Sequence, residues 1–161
     1  MIIIIECIIL GILFTTMVYI ISKNPIATLY NYPPKVRDRV KSMKEYKDKI
    51  PTNKKKMLAK SIVAIIIIIS VSLILRYING YTNFKDSFLS SLLIWTIINI
   101  YDIIILDICW FCQSEKFIFK GTEDIKKEYK NYWYHIKEGI IGEVIGIVLC
   151  LLIGLIVKFI L

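Results

Sequence analysis

The sequence predicts an all-α, polytopic membrane protein, a four-transmembrane-helix bundle with amphipathic helices in its cytoplasmic loops. The chain of 161 residues is 57% hydrophobic and 21% charged. These two classes of residue are segregated into long blocks, whereas soluble domains mix them at helix or strand period. Four of the apolar blocks have about the 20 residues that a helix needs to cross a bilayer. The positive charge is concentrated in two of the connections between them.

The four blocks are expected to form one membrane domain, residues 1–161. Unbroken apolar runs, such as the five isoleucines at residues 65–69, are typical of helices and lack the alternation of membrane strands. The first block is read as a retained span because no Lys or Arg precedes it, it contains Glu6, and it lacks a small-residue cleavage site. The predicted spans are residues 2–21, 61–78, 88–111 and 139–160, with cytoplasmic loops at 22–60 and 112–138.

The orientation follows from the distribution of lysine and arginine. Residues 22–60 contain twelve basic side chains and three acids, residues 113–138 contain six lysines, and residues 79–87 contain only Lys85. Because short basic loops stay in the cytoplasm, both chain ends are predicted to lie outside. The heavy use of Ile, Lys, Asn and Tyr suggests an AT-rich coding genome, and hence a bacterial plasma membrane.

The first basic loop is predicted to contain a helix that lies on the inner membrane surface. Apolar residues recur at helical spacing from residue 35 to residue 50, with lysines and arginines between them, which is typical of interfacial helices. Anionic lipids are the expected partner, and they account for the net charge of +8 without any nucleic acid. A binding or regulatory role for this helix is the alternative. The basic residues expected to face lipid are Arg37, Arg39, Lys41 and Lys44.

The second basic loop is predicted to start a helix at Thr122, after the break at Gly121. Threonine is a favoured N-cap, and the acids that follow it suit the positive end of a helix dipole. This helix would place Tyr129 and Tyr132 on one face, at headgroup depth in an aromatic belt. At Gly139 it would either bend or continue into the last span.

Four acids lie inside the predicted spans: Glu6, Asp102, Asp107 and Glu143. Ionisable residues in lipid are costly, so each marks a candidate functional position. At about 100° per residue, Asp102 shares one stripe with other polar residues, including Asn99, and this stripe should face the bundle interior. Asp102 is therefore predicted to be protonated or to hold a small cation. Asp107 would lie about 140° away, so the two aspartates are not expected to form a dyad.

Asp107 and Glu143 lie at similar depths below the inner boundary of the membrane. Adjacent antiparallel helices would bring them together, and the chain's single histidine, His135, precedes Glu143 by about two turns. Such a group could hold a cation, move protons or contact a lipid headgroup. The alternative is that each carboxylate accepts neutral hydrogen bonds and fixes the packing. At the outer end, Glu6 and Arg76 are expected to neutralise each other.

Small residues and cysteines in the spans have structural interpretations as well. Gly142, Gly146 and Gly154 recur at steps of four or eight on the last span, which permits close helix packing within the chain or between copies. Cys109 and Cys112 form a CxxC pair without the strand–helix context of a redox site or a second pair to complete a zinc site. No cofactor and no metal site are expected.

One pattern near the C-terminal end is familiar as a set. Tyr101-Asp102 is followed by Asp107, then Gly121-Thr122-Glu123, then Tyr129 and His135, before a glycine-rich last helix. This pattern resembles a group of small bacterial multi-pass membrane proteins of uncharacterised function, and it covers only the C-terminal part of the chain. The resemblance implies a shared fold and a shared site at Asp102, Asp107, Glu123 and His135. It implies no particular activity.

Three functions are compatible with these features. The first is the handling of a small solute, an ion or protons through the intramembrane carboxylates. The second is a non-enzymatic accessory, regulatory or immunity-type protein that binds anionic lipid, another membrane protein or a second copy of itself. The third, a lipid-modifying enzyme, is disfavoured because the sequence shows no nucleophile–base pair and no metal triad.

Overall fold

The structure is a computed structural model that describes residues 2–161. Side chains are described for all of these residues except Asn53, Lys55 and Lys56, so part of the positive charge of the first loop lies outside the described side chains. Helices make up 83% of the structure, and the described residues contain no strand. The predicted all-α class is confirmed.

Seven α-helices follow one another in the described part of the chain, joined by π-helical and 3-10 segments. The π-helices are Ile74–Ile78 and Asp102–Phe111, and each directly follows a long α-helix. The 3-10 turns are Pro25–Asn31, Glu115–Phe117 and Glu123–Ile125. The α-helices are α1 (Ile2–Ser22), α2 (Pro34–Ser42), α3 (Lys44–Lys47), α4 (Asn53–Leu73), α5 (Phe84–Tyr101), α6 (Lys126–Tyr129) and α7 (Tyr132–Phe159).

Four helical segments among the described residues are long and apolar enough to cross a membrane. Three of them begin earlier than the apolar blocks alone indicate, and two of these starts have an N-cap hydrogen bond. Asn83 accepts a hydrogen bond from the Asp86 amide at 2.9 Å, and Asn131 accepts one from the Tyr134 amide at 3.0 Å. Such N-caps satisfy the free amides of a first turn, so polar turns precede the apolar parts. The four segments are Ile2–Ser22, Met57–Ile78, Phe84–Phe111 and Tyr132–Phe159.

The long helices form a bundle in which α5 packs between α1 and α7, and α7 packs between α5 and α4. Glu6 near the start of α1 accepts a hydrogen bond from Asn79, in the turn after α4. Gly154 near the end of α7 faces Phe84 at the start of α5. Both chain ends thus lie with the turn between α4 and α5, at what we call the hairpin end. Residues 23–52 and 112–131 lie at the opposite, basic end.

The two basic loops pack against each other and form a hydrophobic core of their own, which we call the basic-end core. Val36 and Val40 on α2 are 0% exposed. The predicted apolar face of this helix is therefore covered by protein, and the expectation that it faces lipid is wrong. The reason is that the second loop supplies three buried aromatic partners. The core consists of Leu29, Tyr32, Val36, Val40, Phe117, Phe119 and Tyr129.

The helix predicted over residues 35–50 is interrupted at Met43, whose backbone is extended between α2 and α3. The helix predicted to start at Thr122 is also interrupted. The Thr122 hydroxyl donates to the Phe119 carbonyl at 2.7 Å and forms a hydrogen bond of 2.6 Å with the buried Tyr129 hydroxyl. These bonds hold a compact turn in place of an N-cap, and burial raises the pKa of Tyr129. Tyr129 therefore belongs to the basic-end core and not to an aromatic belt. The last helix, α7, runs without a break through Gly139.

Candidate functional site

The polar side chains of α5 and α7 meet along the interface between these two helices. Glu143 accepts a hydrogen bond at each carboxylate oxygen: Thr96 donates to Oε1 at 2.5 Å and Asn99 donates to Oε2 at 2.8 Å. The Asn99 amide also donates to the Gly139 carbonyl at 3.0 Å. We call Glu143, Thr96 and Asn99 the Glu143 cluster. Its hydrogen bonds all come from neutral donors, so the carboxylate is held in place without a countercharge.

A second group lies closer to the basic end of the same interface. The Nδ1 atom of His135 lies 3.1 Å from Oδ2 of Asp107, and the histidine side chain is 3% exposed. The rings of Phe111 and Tyr134 lie against the imidazole, with centroids 5.2 Å and 5.4 Å from its own. The Nε2 atom of His135 is buried and has no hydrogen-bond partner among the described residues. One imidazole nitrogen is thus bound to a carboxylate, and the other is free to gain or lose a proton.

Asp102 joins this group because the end of the α5 span is a π-helix. Within Asp102–Phe111, hydrogen bonds run to the fifth residue back, as from the Cys112 amide to the Asp107 carbonyl at 2.9 Å. At π-helical pitch, a residue five positions on is turned by roughly 50° and not by the 140° of an α-helix. Asp102 is therefore near the direction of Asp107, which corrects the predicted separation.

The side chain of Asp102 is half-buried and makes no hydrogen bond with a described residue, and the charges of Asp107 and His135 act on it. We call Asp102, Asp107 and His135 the His135 cluster. Within the described side chains, no lysine or arginine lies within 4.0 Å of any acid in either cluster. Carboxyl groups and a histidine inside apolar helices are groups that can bind and release protons.

Some of the predicted neighbours are not brought together. Asn99 lies three residues before Asp102, and its amide donates to Glu143. Asp107 and Glu143 were expected to meet, but each has its own partners, and His135 and Glu143 are about 12 Å apart along α7 at about 1.5 Å per residue. The site is therefore two polar clusters in series. Thr96, three residues before Asn99 on α5, is a partner of Glu143 that the sequence pattern does not indicate.

The ion pair expected at the hairpin end does not form. Asn79 donates to Glu6 at 3.3 Å, and Arg76 donates to the Tyr81 carbonyl at 3.4 Å. The π-helix Ile74–Ile78 lies between α4 and the turn, and it alters the direction in which the Arg76 side chain leaves the helix. This change of pitch was not visible in the sequence.

The glycines of α7 allow α5 to approach closely. A Cβ atom on Gly146 would lie 1.9 Å from Nε1 of Trp95, and one on Gly154 would lie 3.0 Å from the ring of Phe84. Gly142 faces Asn99, with 3.4 Å between such a Cβ and Oδ1. The three glycines thus lie at contacts within the chain.

The basic residues of α2 and α3 take several positions at the surface of the basic end. Arg39 lies 3.9 Å from Asp124, and Arg37 lies 3.9 Å from Asp38. The Lys41 ammonium lies 4.9 Å from the centre of the Tyr30 ring, and Lys44 is exposed. Arg37, Arg39 and Lys41 thus contact protein groups.

Glu123, which the resemblance places in the shared site, lies on a surface turn. Its carboxylate accepts a hydrogen bond from the Gly121 amide at 3.1 Å. Backbone amides hold the pKa of Glu123 below its ordinary value. The Gly121 backbone has a φ of 84°, which favours glycine at this turn. Glu123 shapes the loop, and the described contacts do not connect it with the His135 cluster.

A groove and a smaller cavity lie beside the α5 span and at the basic end, and the acids of the two clusters do not line them. A groove of about 420 Å³ lies between α1 and the α5 span. A cavity of about 230 Å³ lies at the basic end, where Cys112 and Tyr129 contribute to its wall. No three His, Cys, Asp or Glu residues in the described part of the chain are grouped so that they could hold a metal ion. Cys109 is exposed, whereas Cys112 is buried beside His135.

Comparison of the chain with protein-family models, curated proteins and solved structures gives no match in any of the three.

Proposed function

We propose that the chain is a multi-pass protein of a bacterial plasma membrane that handles protons or a small cation through carboxyl groups inside its α5–α7 interface. The observation that carries the proposal is the His135 cluster. Asp107 lies 3.1 Å from the chain's only histidine, and the π-helical pitch turns Asp102 toward the direction of Asp107, in helices apolar enough to span a bilayer. Ionisable side chains in such positions are expensive, and proton relays and ion pathways are their usual roles.

Further polar groups continue from this cluster toward the hairpin end. The Glu143 cluster comes next along the interface, followed by Ser91, which is buried and donates to the Phe88 carbonyl at 2.9 Å. Ser87 is also buried and donates to the Asn83 carbonyl at 2.9 Å. A proton can rest on Asp102, on Asp107 or on Nε2 of His135. A proton can also rest on Glu143 if the Thr96 hydroxyl rotates so that its oxygen accepts a hydrogen bond from the protonated carboxyl group. The interface thus offers a series of proton-binding groups.

Proton movement can be measured in liposomes that contain the purified protein and a pH-sensitive dye, with a potassium gradient and valinomycin as the driving force. We expect the wild-type chain to acidify the lumen, and Asp102→Asn, Asp107→Asn and Glu143→Gln each to reduce the rate at least about tenfold. A carboxamide has a shape similar to that of a carboxylate, but it does not bind and release a proton as a carboxylate does. Asp48→Asn is the control, because Asp48 is exposed on the basic end.

Equal rates for the three variants and the wild-type chain would contradict the proposal. That result would favour the accessory or regulatory function, in which the carboxylates only fix the packing. The hydrogen bonds that hold Glu143 to neutral donors are the observation that supports this second function.

The proposal includes an orientation, with the basic end in the cytoplasm and both chain ends outside, because positively charged loops remain inside. Single cysteines introduced at Lys127 and Leu161 in a cysteine-free background test it in intact cells. A membrane-impermeant maleimide should label the position 161 variant in intact cells and the position 127 variant only after lysis. Labelling of position 127 in intact cells would contradict this orientation.

A further inference from the structure

The groove between α1 and the α5 span combines an apolar wall with positive charge at one end. Three α1 residues, Thr15, Thr16 and Tyr19, form one wall. The opposite wall is formed by Tyr101, Ile105, Leu106 and Trp110. These last four extend over roughly 12 Å along the helix axis. Among the described residues, the hydroxyls of Thr15 and Tyr101 form a hydrogen bond of 2.9 Å between the two walls.

Two lysines lie at the basic end of this groove. The Lys116 ammonium is 4.4 Å from the centre of the Trp110 ring and 5.3 Å from that of Tyr19. The Lys23 ammonium is 5.1 Å from the centre of the same Tyr19 ring. Aromatic faces attract cations within about 6 Å of the ring centre, so the rings hold both ammonium groups where the groove opens.

Neither lysine is neutralised by an acid. No described carboxylate lies within 4.0 Å of Lys23 or Lys116, and the adjacent Glu115 lies 3.4 Å from Lys126 instead. None of the described residues of α1 is buried, so in a bilayer the open side of this groove meets lipid. Tyr19 and Trp110 would lie at headgroup depth, where tyrosine and tryptophan are enriched.

We propose that this groove is a binding site for one anionic phospholipid, with its acyl chain along the apolar walls and its phosphate beside Lys23 and Lys116. The occupant is assigned by charge complementarity: two uncompensated ammonium groups lie at the level of the headgroups, above a groove lined mainly by apolar side chains. The site is separate from the His135 cluster. The basic residues of α2 and α3 are not part of it.

The test uses quenching of tryptophan fluorescence by brominated acyl chains. The protein is reconstituted into phosphatidylcholine vesicles that contain the same fraction of brominated phosphatidylglycerol or brominated phosphatidylcholine. The signal of Trp110 is obtained by difference from Trp110→Phe. Because each basic residue near the membrane surface favours anionic lipid by a factor of about five, we expect at least about tenfold enrichment of phosphatidylglycerol at Trp110.

Lys23→Gln with Lys116→Gln should remove this preference, and Lys23→Arg with Lys116→Arg should retain it. The matched control, Lys41→Gln with Lys44→Gln, removes the same charge from the same end and should leave the preference intact. Three results would overturn the proposal: equal quenching by the two lipids, equal loss in both glutamine pairs, or a groove closed to both lipids by a second copy of the chain, seen as cross-linking between copies.

Discussion

Replacing Gly146 with alanine is expected to destabilise the folded bundle by about 1–3 kcal/mol, as overpacking of a filled interior does. The added methyl group would lie 1.9 Å from Nε1 and 2.2 Å from Cε2 of the Trp95 indole. A rigid indole between two helices cannot turn away without leaving a void. α7 must therefore move away from α5, which is its main partner in the bundle.

Gly11→Ala is the matched control for this substitution. The new methyl group would lie 3.7 Å from Cδ1 of Ile98, an ordinary contact, and alanine is the better helix former by about 1 kcal/mol. Reversible unfolding in mixed detergent micelles measures both variants. Equal stability of Gly146→Ala and the wild-type chain would show that α5 and α7 do not pack as described.

Replacing Glu143 with leucine is expected to cost about 1–3 kcal/mol, because it leaves the Thr96 hydroxyl without an acceptor and Asn99 with fewer bonds. Glu143→Gln keeps an oxygen for Asn99 and a polar group for Thr96, so its stability should remain close to that of the wild-type chain. Unfolding in mixed micelles separates the two variants. If leucine were tolerated as well as glutamine, the Glu143 cluster would not stabilise the interface.

This pair of variants also separates the structural and functional roles of Glu143. The glutamine variant should be folded but inactive in proton movement, whereas a purely structural carboxylate would leave it folded and active.

The long helices were predictable because a helix that crosses a bilayer needs about 20 mostly apolar residues. Such runs can be read directly from the sequence. The N-caps at Asn83 and Asn131 add polar turns that an apolar window does not include. These two N-caps can be recognised only once the start of each helix is known.

The basic-end core was not predictable in the same way. The alternation of valines with basic residues on α2 indicates an apolar face, but not what covers it. Phe117 and Phe119 are more than 70 residues away from Val36 and Val40 in the sequence, and nothing local to either segment reveals that they pack together. The composition of an apolar helix face does not distinguish a face covered by lipid from one covered by protein.

The candidate site was predicted in its residues but not in its arrangement. Buried acids are visible as exceptions in apolar blocks, so Asp102, Asp107 and Glu143 could be recognised. Their directions were assigned with α-helical geometry, and the π-helix Asp102–Phe111 changes them. No residue pattern in this segment signals the change of pitch, although π-helical turns are frequent at functional sites.

We propose that Asp102, Asp107 and His135 form one proton-binding group. Since the chain has a single histidine, nitrogen NMR of protein labelled with ¹⁵N-histidine reports on His135 alone as the pH is varied. We expect Asp102→Asn and Asp107→Asn each to shift the titration midpoint of His135, whereas Glu143→Gln, about 12 Å farther along α7, should leave it in place. An unchanged midpoint in both aspartate variants would contradict the claim.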